Sequence, residues 1–209
     1  MADPPRSHAR DTGAGRLSAR AAAGTTRSRG AGGAGADYAG VMDAHDILIE
    51  THSRIRPAVH AVLEGADDDL LGARLDPDGN SVGWLVWHLT RVQDDHVSEV
   101  AGHEQTWTTG GFAAEAGLPF PDEATGYGFD AAQVGQVRVG ADLLTRYHDA
   151  VADRTEQYLR GLAGTDLDRV VDDAWDPPVT LGVRLVSVLD DDLEHAAQAA
   201  FVRGVLDRR

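Results

Sequence analysis

The sequence predicts an all-α protein: an antiparallel four-helix bundle with a disordered N-terminal tail. Three observations lead to this fold class. Apolar residues recur at three- and four-residue spacing in four long segments, which is the pattern of amphipathic helices. No segment alternates convincingly between apolar and polar residues, as a half-buried strand does. The length of 209 residues suits one domain with an extension.

The N-terminal segment is predicted to be a disordered tail. Residues 1–41 are rich in Gly, Ala and Arg, and Leu17 and Tyr38 are their large apolar side chains. Such a segment cannot bury enough surface to offset the entropy cost of ordering it. We therefore expect the folded domain over residues 42–209. Because Met42 directly precedes the first patterned helix, we also hypothesise that translation starts there.

The first two predicted helices begin at capping residues and end at glycines. Asp43 opens a capping arrangement for a first helix that ends at Gly65. Asn80 or Ser81 caps the second helix, which ends at Gly102. The predicted inward faces are Leu48, His52, Ile55, Val59 and Val62 in the first helix, and Leu85, Leu89, Val92, His96 and Val100 in the second.

The third and fourth predicted helices lie in the C-terminal half. The third runs from about residue 141 to 159. Pro177-Pro178 blocks a helix, Thr180 then caps the fourth, and Gly204 closes it. The inward faces are Leu144, Tyr147, Val151 and Tyr158 in the third helix, and Leu181, Leu185, Val188, His195, Ala199 and Val202 in the fourth.

A long linker, residues 103–139, separates the second and third helices. Long crossovers of this kind usually cover something, so we expect the linker to wall a pocket. It contains a predicted helical turn near residues 130–137 and five aromatic side chains: Trp107, Phe112, Phe120, Tyr127 and Phe129.

The amino-acid composition excludes several kinds of catalytic and metal-binding site. The chain has no Cys and no Lys, and its 19 Arg and 34 acidic residues give a net charge of −15. Disulfides, thiolate metal sites, a Cys nucleophile and a Lys Schiff base are therefore excluded. The negative charge disfavours nucleic acids and anionic membranes as partners. No apolar run approaches the ~20 residues of a spanning helix, and we expect a cytoplasmic protein.

Polar residues on the inward helix faces are the candidates for chemistry, because buried His and acids are costly unless paired or bound to metal. His88 lies on the second helix. Asp191 and His195 lie one turn apart on one face of the fourth. Two imidazoles and one carboxylate suit a divalent ion such as zinc, nickel or ferrous iron, and leave positions open for water or substrate.

The helical pattern alone leaves the ligand set open. His96, rather than His88, lies at the centre of the second helix's apolar face, and Asp191 and Asp192 flank that of the fourth about equally. A lone His on a partly apolar face is more often a hydrogen-bonded core residue than a ligand. The acidic run also fits a solvated face. Two further inward-facing histidines are interpreted as structural: His52 and His148.

Two segments carry a family resemblance. Residues 84–96 have the sequence WLVWHLTRVQDDH, and residues 193–204 have the sequence LEHAAQAAFVRG. With the order of the helices, they resemble the DinB-like superfamily, which includes mycothiol- and bacillithiol-dependent S-transferases and the metal-binding domain of mycothiol-dependent maleylpyruvate isomerase. The resemblance covers about residues 43–206. It implies an up-down-down-up four-helix bundle whose crossover is the long linker.

The resemblance also implies a divalent metal bound by three His. One comes from the second helix in a His-Leu setting, and two come from the fourth as His-x-x-x-His. These positions map onto His88, Asp191 and His195, so that Asp191 replaces a His. Since a carboxylate can still ligate, the expected metal site has two His and one Asp.

The function that the resemblance implies is a metal-dependent S-transferase. Its partners are a low-molecular-weight thiol, mycothiol or a similar one, and a small electrophile. The metal would coordinate the thiol sulfur or polarise the electrophile. His96 and Asp95, one to two turns further along the second helix, are candidate catalytic residues as partners of the ligands or as a proton shuttle; the alternative is a core His and an exposed acid.

Two other function classes fit the same residues. One is a metal-dependent hydrolase or isomerase that uses metal-bound water. The other is a non-catalytic bundle with a decayed metal site. Family members often dimerise, so the resemblance also implies a homodimer. The lack of Lys and the single Asn indicate a GC-rich genome, which fits an actinobacterial source where mycothiol is the usual thiol.

Overall fold

The computed structural model describes residues 42–209, so the predicted tail lies outside the described residues. This part of the chain is mostly helical, as predicted, with a short 3₁₀ helix at Gly164–Asp168 and two short strands, β1 (Val170–Asp172) and β2 (Val179–Thr180). The α-helices are α1 Ala44–Ser53, α2 Ile55–Leu63, α3 Asp68–Gly72, α4 Val82–Ala101, α5 Thr106–Thr109, α6 Phe112–Ala116, α7 Ala131–Gln136, α8 Ala141–Gly161 and α9 Leu181–Leu206.

Capping residues set the starts of α1, α4 and α9, as the sequence predicts. Asp43 caps α1 in a reciprocal capping box with Asp46. Ser81, rather than Asn80, caps α4 by accepting a hydrogen bond from a backbone amide of the first turn. Thr180 caps α9. Such caps can be predicted from a sequence because few residue types have a side-chain oxygen that accepts from the free backbone amides of the first turn.

The first predicted helix is in fact two. The break lies at Arg54, whose amide turns back to donate to Thr51. Pro57 explains it, because proline has no N–H to donate to Ser53 four residues earlier, yet is tolerated in the first turn of a new helix. α2 then ends at Leu63.

The C-terminal elements differ from the prediction in two places. α9 continues through Gly204 to Leu206, which packs against the core. A single glycine weakens a helix without ending it. The sequence also missed the antiparallel pairing of β1 with β2, in which Val170 faces Thr180. Strands of three and two residues are too short to show an alternating pattern.

The four main helices, α2, α4, α8 and α9, pack in a closed series of contacts. α4 packs against α9 and α8, and α2 packs against the same two helices from the other side. α1 adds a contact with α8. The core fills the space between them and includes Leu85, Leu89, Leu144, Tyr147, Leu181 and Leu185.

α4 is buried around most of its surface. α3, α5, α8 and α9 all contact it, so its polar residues His88, Arg91 and Asp94 are buried together with its apolar ones. The expectation of one inward face centred on Leu85, Leu89 and His96 was therefore too narrow. Within the described part of the chain, no helix has the length and apolar character needed to cross a membrane.

Candidate metal centre

The structure brings the three predicted metal ligands together. One ligand atom each from His88, Asp191 and His195 lies within 4.8 Å of the other two. α4 provides His88, and the facing helix α9 provides the other two from successive turns. The centre therefore rests on the packing of two long helices.

His88 has the tautomer that a metal ligand needs. Its Nδ1 lies 2.6 Å from the carbonyl oxygen of Thr125. Because a carbonyl only accepts, Nδ1 carries the proton and donates it, which leaves the lone pair of Nε2 free. That Nε2 lies 4.0 Å from Oδ1 of Asp191. Burial lowers the pKa of His88 more than the Thr125 carbonyl and the Asp191 carboxylate raise it, so the ring is held neutral.

His195 is oriented in the same way from within its own helix. Its Nδ1 lies 2.8 Å from the backbone oxygen of Asp191 and 3.4 Å from Oδ2 of the same residue. The single Nδ1 proton goes to the closer carbonyl, which again leaves Nε2 unprotonated in the neutral ring. Burial lowers the pKa of His195, but its contacts with Asp191 outweigh burial and raise that pKa above its ordinary value.

The Asp191 carboxylate lies within ion-pair distance of both histidines, with Oδ1 4.0 Å from Nε2 of His88 and Oδ2 3.4 Å from Nδ1 of His195. Its Oδ2 is buried and has no hydrogen-bond partner among the described residues. A buried carboxylate oxygen without a donor is costly unless a cation or another partner balances it. His nitrogen and carboxylate oxygen are ligand types that zinc takes in proteins, and one such atom from each of the three residues lies within 4.8 Å of the others. The residues present therefore fit a divalent metal.

The His88 ring is fixed between an indole and a loop. The Trp84 ring stacks on it, with centroids 4.5 Å apart and an interplanar angle of 12°. The loop is residues 122–126, here called the covering loop. A Cβ built on Gly126 would lie 3.0 Å from Nδ1 of His88 and 2.9 Å from the Trp87 ring. The backbone of the covering loop therefore packs directly on the His88 ring.

Comparison with known proteins decides the family. The sequence model of the mycothiol-S-transferase family matches residues 47–208. This chain belongs to the mycothiol-S-transferase family. The predicted resemblance to DinB-like proteins is thereby confirmed. The chain is also similar to a solved structure described as the conserved protein of locus from Enterococcus faecalis, with 28% identity and a TM-score of 0.75 over 81% of this chain and 100% of that one. No curated protein gives a significant match.

For this family member, the structure separates the alternatives that the helical pattern left open. The His88 side chain is 7% exposed, whereas the His96 side chain is 37% exposed, so the expectation that His96 is the central inward-facing residue was wrong. Asp192 is fully buried, its carboxylate oxygens have no hydrogen-bond partner among the described residues, and it lies outside the ligand group. Asp191 is the residue whose carboxylate meets both histidines.

The two candidate catalytic residues, His96 and Asp95, lie outside the group of three ligand residues. Nη1 of Arg184 donates to Nδ1 of His96 at 2.8 Å. Asp95 accepts a hydrogen bond from Gln105 and lies 3.9 Å from His96. Burial and the Arg184 charge lower the pKa of His96. Their catalytic role in this mycothiol-S-transferase family member stays a prediction.

Sequence reasoning missed the residues that hold His88 in place. Trp84 lies four residues before His88, a spacing that places both on one face of a helix, and this signal was available. Thr125 and Gly126 gave no comparable signal, because their contact with His88 bridges 37 residues. The expected aromatic wall also differs: Trp107 and Phe112 pack against Tyr147 in the core.

Proposed function

We propose that this protein is a metal-dependent S-transferase that joins a low-molecular-weight thiol, mycothiol or a close relative, to a small electrophile. One observation carries the proposal. In a member of the mycothiol-S-transferase family, His88, Asp191 and His195 offer ligand atoms within 4.8 Å of one another. The free Nε2 lone pairs and the Asp191 carboxylate, which lies close to both histidines, support a bound divalent cation.

The reaction forms a bond between the thiol sulfur and a carbon of the electrophile, while the bond from that carbon to its leaving group breaks. The thiol loses its proton, and the leaving group departs with the bonding electrons. The chain has no Cys, so the cosubstrate supplies the sulfur. A divalent ion, when bound, supplies the positive charge that favours the thiolate at neutral pH.

The Asp191 ligand distinguishes this centre from one with three histidines. His88 and His195 bind as neutral rings, whereas the Asp191 carboxylate adds a negative charge. A divalent ion with these ligands has one positive charge less than with three His. Zinc, nickel and ferrous iron all accept a set of two imidazoles and one carboxylate.

The surroundings of the centre fit the rest of the proposal. The closed series of contacts among the main helices supports an up-down-down-up four-helix bundle over residues 42–209. His96 and Asp95 are proposed to handle the thiol proton. Because Arg184 donates to Nδ1 of His96, the neutral ring carries its proton on Nε2 and offers a hydrogen-bond donor there, while the Asp95 carboxylate is the group proposed to take up the thiol proton.

Metal analysis combined with a conjugation assay tests the proposal. The wild type, loaded with zinc, nickel or ferrous iron, is assayed with mycothiol and 1-chloro-2,4-dinitrobenzene, with glutathione as the comparison thiol. We expect stoichiometric metal and thiol-dependent turnover. The variants His88→Ala and His195→Ala should lose both. The matched control is His60→Ala, because His60 is exposed and pairs with Asp149.

Three other outcomes of these measurements would contradict the proposed function, each in a different way. Equal metal content in the wild type and in His195→Ala would show that the metal binds elsewhere. Turnover that needs the metal but no thiol would indicate a hydrolase or isomerase. No bound metal in the wild type would favour a non-catalytic protein.

A further inference from the structure

Arg91 is a fully buried cation on α4. A buried guanidinium is costly unless its N–H groups are paired. Its Nε donates to the carbonyl oxygen of Ala124 at 3.1 Å, and its Nη2 donates to that of Asp122 at 2.9 Å. Its Nη1 donates to the Tyr147 hydroxyl at 3.3 Å. Two of these three contacts therefore hold the backbone of the covering loop.

The guanidinium is itself held in place from the other side. Oδ2 of Asp94 lies 3.7 Å from Nη1 of Arg91 and accepts a hydrogen bond from the Tyr147 hydroxyl at 2.9 Å. The same carboxylate accepts from the backbone amides of Thr106 and Trp107. Arg91 also lies over the Trp107 ring, 5.3 Å from its centroid. A cation fixed on several sides is a rigid support for the loop that it binds.

His88 binds the covering loop one helical turn before Arg91. Its Nδ1 donates to Thr125, whose carbonyl directly follows that of Ala124 in the chain. Ala124 and Thr125 are consecutive in the chain. The hydrogen bond from Arg91 to the Ala124 carbonyl therefore limits where the Thr125 carbonyl can lie. Gly126 then packs on the His88 ring. Arg91 thus acts on the position of His88 through the backbone of the covering loop.

The Thr125 carbonyl matters because it selects between two forms of His88. A neutral imidazole carries its proton on either Nδ1 or Nε2, and only the Nδ1–H form leaves Nε2 free to bind a metal. We propose that Arg91 is a positioning residue of the metal centre, which holds the covering loop on α4 and thereby keeps His88 in the Nδ1–H form. The metal-binding consequence rests on the proposed function, whereas the tautomer of His88 does not.

The variant Arg91→Lys tests this role with the positive charge retained. A lysine cannot reproduce two directed hydrogen bonds to neighbouring carbonyls while remaining beside Asp94. The first measurement is ¹⁵N NMR of the His88 ring in metal-free protein at mildly alkaline pH. We expect the wild type to show the Nδ1–H form and Arg91→Lys to show an increased share of Nε2–H. The second measurement is zinc affinity, which should fall roughly tenfold.

Arg203→Lys is the matched control. Arg203 also lies on a main helix and holds two backbone carbonyls, those of Val62 and Glu64, at 2.7 and 2.6 Å. It lies two helical turns beyond His195 and binds a different loop. An effect of removing any arginine that holds two backbone carbonyls would appear in both variants. We expect Arg203→Lys to leave the His88 tautomer and the zinc affinity unchanged.

Each outcome decides the inference. A folded Arg91→Lys with unchanged His88 tautomer and zinc affinity would overturn it. If Arg91→Lys does not fold, Tyr147→Phe removes one anchor of the guanidinium and should shift the same signals in the same direction by less; unchanged signals there would overturn the inference as well. A wild type that binds no zinc contradicts the proposed function alone, because the tautomer is measured without metal.

Discussion

Gly126 shows at the scale of one residue how closely the covering loop packs against the candidate metal centre. Its φ is +94°, and an added Cβ would lie 2.9 Å from the Trp87 ring and 3.0 Å from Nδ1 of His88. Gly126→Ala must therefore displace the loop or the ring. We expect zinc affinity to fall by about tenfold or more, since an outer partner of a metal-binding His is worth 10–100-fold. Titration of metal-free protein with zinc measures it.

Gly128→Ala separates this contact from backbone strain. Gly128 also has a positive φ, +73°, but an added Cβ there meets nothing within 4 Å. Gly128→Ala should lower the free energy of unfolding by about 1–2 kcal/mol, because left-handed backbone disfavours a Cβ; Gly126→Ala should lower it by more, because its Cβ also meets the Trp87 and His88 rings. Only Gly126→Ala should weaken zinc binding. Equal zinc affinity in the two variants would show that the covering loop does not position His88.

Asp192 is the second residue for which the structure gives a clear expectation. It is fully buried and its carboxylate oxygens have no hydrogen-bond partner among the described residues. Burial, with the nearby Asp191 charge, raises its pKa well above the ordinary value. Removing an unpaired buried polar group relieves about 1–3 kcal/mol. Asp192→Ala should therefore raise the free energy of unfolding, measured with urea, and leave zinc content unchanged.

The exposed neighbour Asp190 provides the control. Asp190→Ala makes the same gain in helix propensity without any change in burial, so the difference between the two variants reports the buried carboxylate. A loss of zinc in Asp192→Ala would contradict the assignment of Asp191 as the ligand. It would instead favour the other acid that the helical pattern left open.

At the scale of the helix, the start points were the most predictable features. Asp43, Ser81 and Thr180 cap their helices through contacts within three residues, and such local contacts can be predicted from a sequence. The sequence pattern did not predict that four other helices enclose α4. For that reason periodicity placed His96 rather than His88 at the centre of the inward face, and only the family resemblance selected His88.

Ser81 allows a test of how far the start of α4 matters. It accepts a hydrogen bond from the Trp84 amide at 3.2 Å and is buried. Ser81→Ala should cost about 1 kcal/mol, the usual effect of losing such a cap, as measured by urea unfolding. Zinc affinity should stay the same, because α8, α9 and the covering loop hold the helix beyond its first turn. Asn80→Ala is the control and should cost little; an equal loss would show that Asn80 is the cap.

At the scale of the whole molecule, the core combines apolar packing with polar groups whose partners come from distant parts of the chain. Arg91, Asp94 and Tyr147 form one such network, and His148 with Thr90 forms another. The helical fold class followed from periodicity, and the interpretation of His148 as structural followed from its inward position. The partners could not be predicted, because these contacts join α4 to α8 across more than 50 residues.

His148 makes the stability of the whole protein depend on pH. It is fully buried, and burial, followed by the charges of His52, Arg56 and His60, lowers its pKa to about 3. In the unfolded chain the pKa of His is about 6.5. Between these values the unfolded chain binds more protons, so stability is full above pH 6.5 and is lost as the pH falls towards 3.

His148→Gln removes this titration and should flatten the acid limb of the stability curve. Between pH 7 and pH 5, the wild type should lose about 2 kcal/mol more unfolding free energy than the variant, measured by urea unfolding of metal-free protein. His103→Gln, at a partly exposed position beyond α4, should keep the wild-type dependence. An unchanged pH dependence in His148→Gln would mean that His148 takes up a proton in the folded protein. Water would then reach its side chain, contrary to the burial that the packing of α4 against α8 implies.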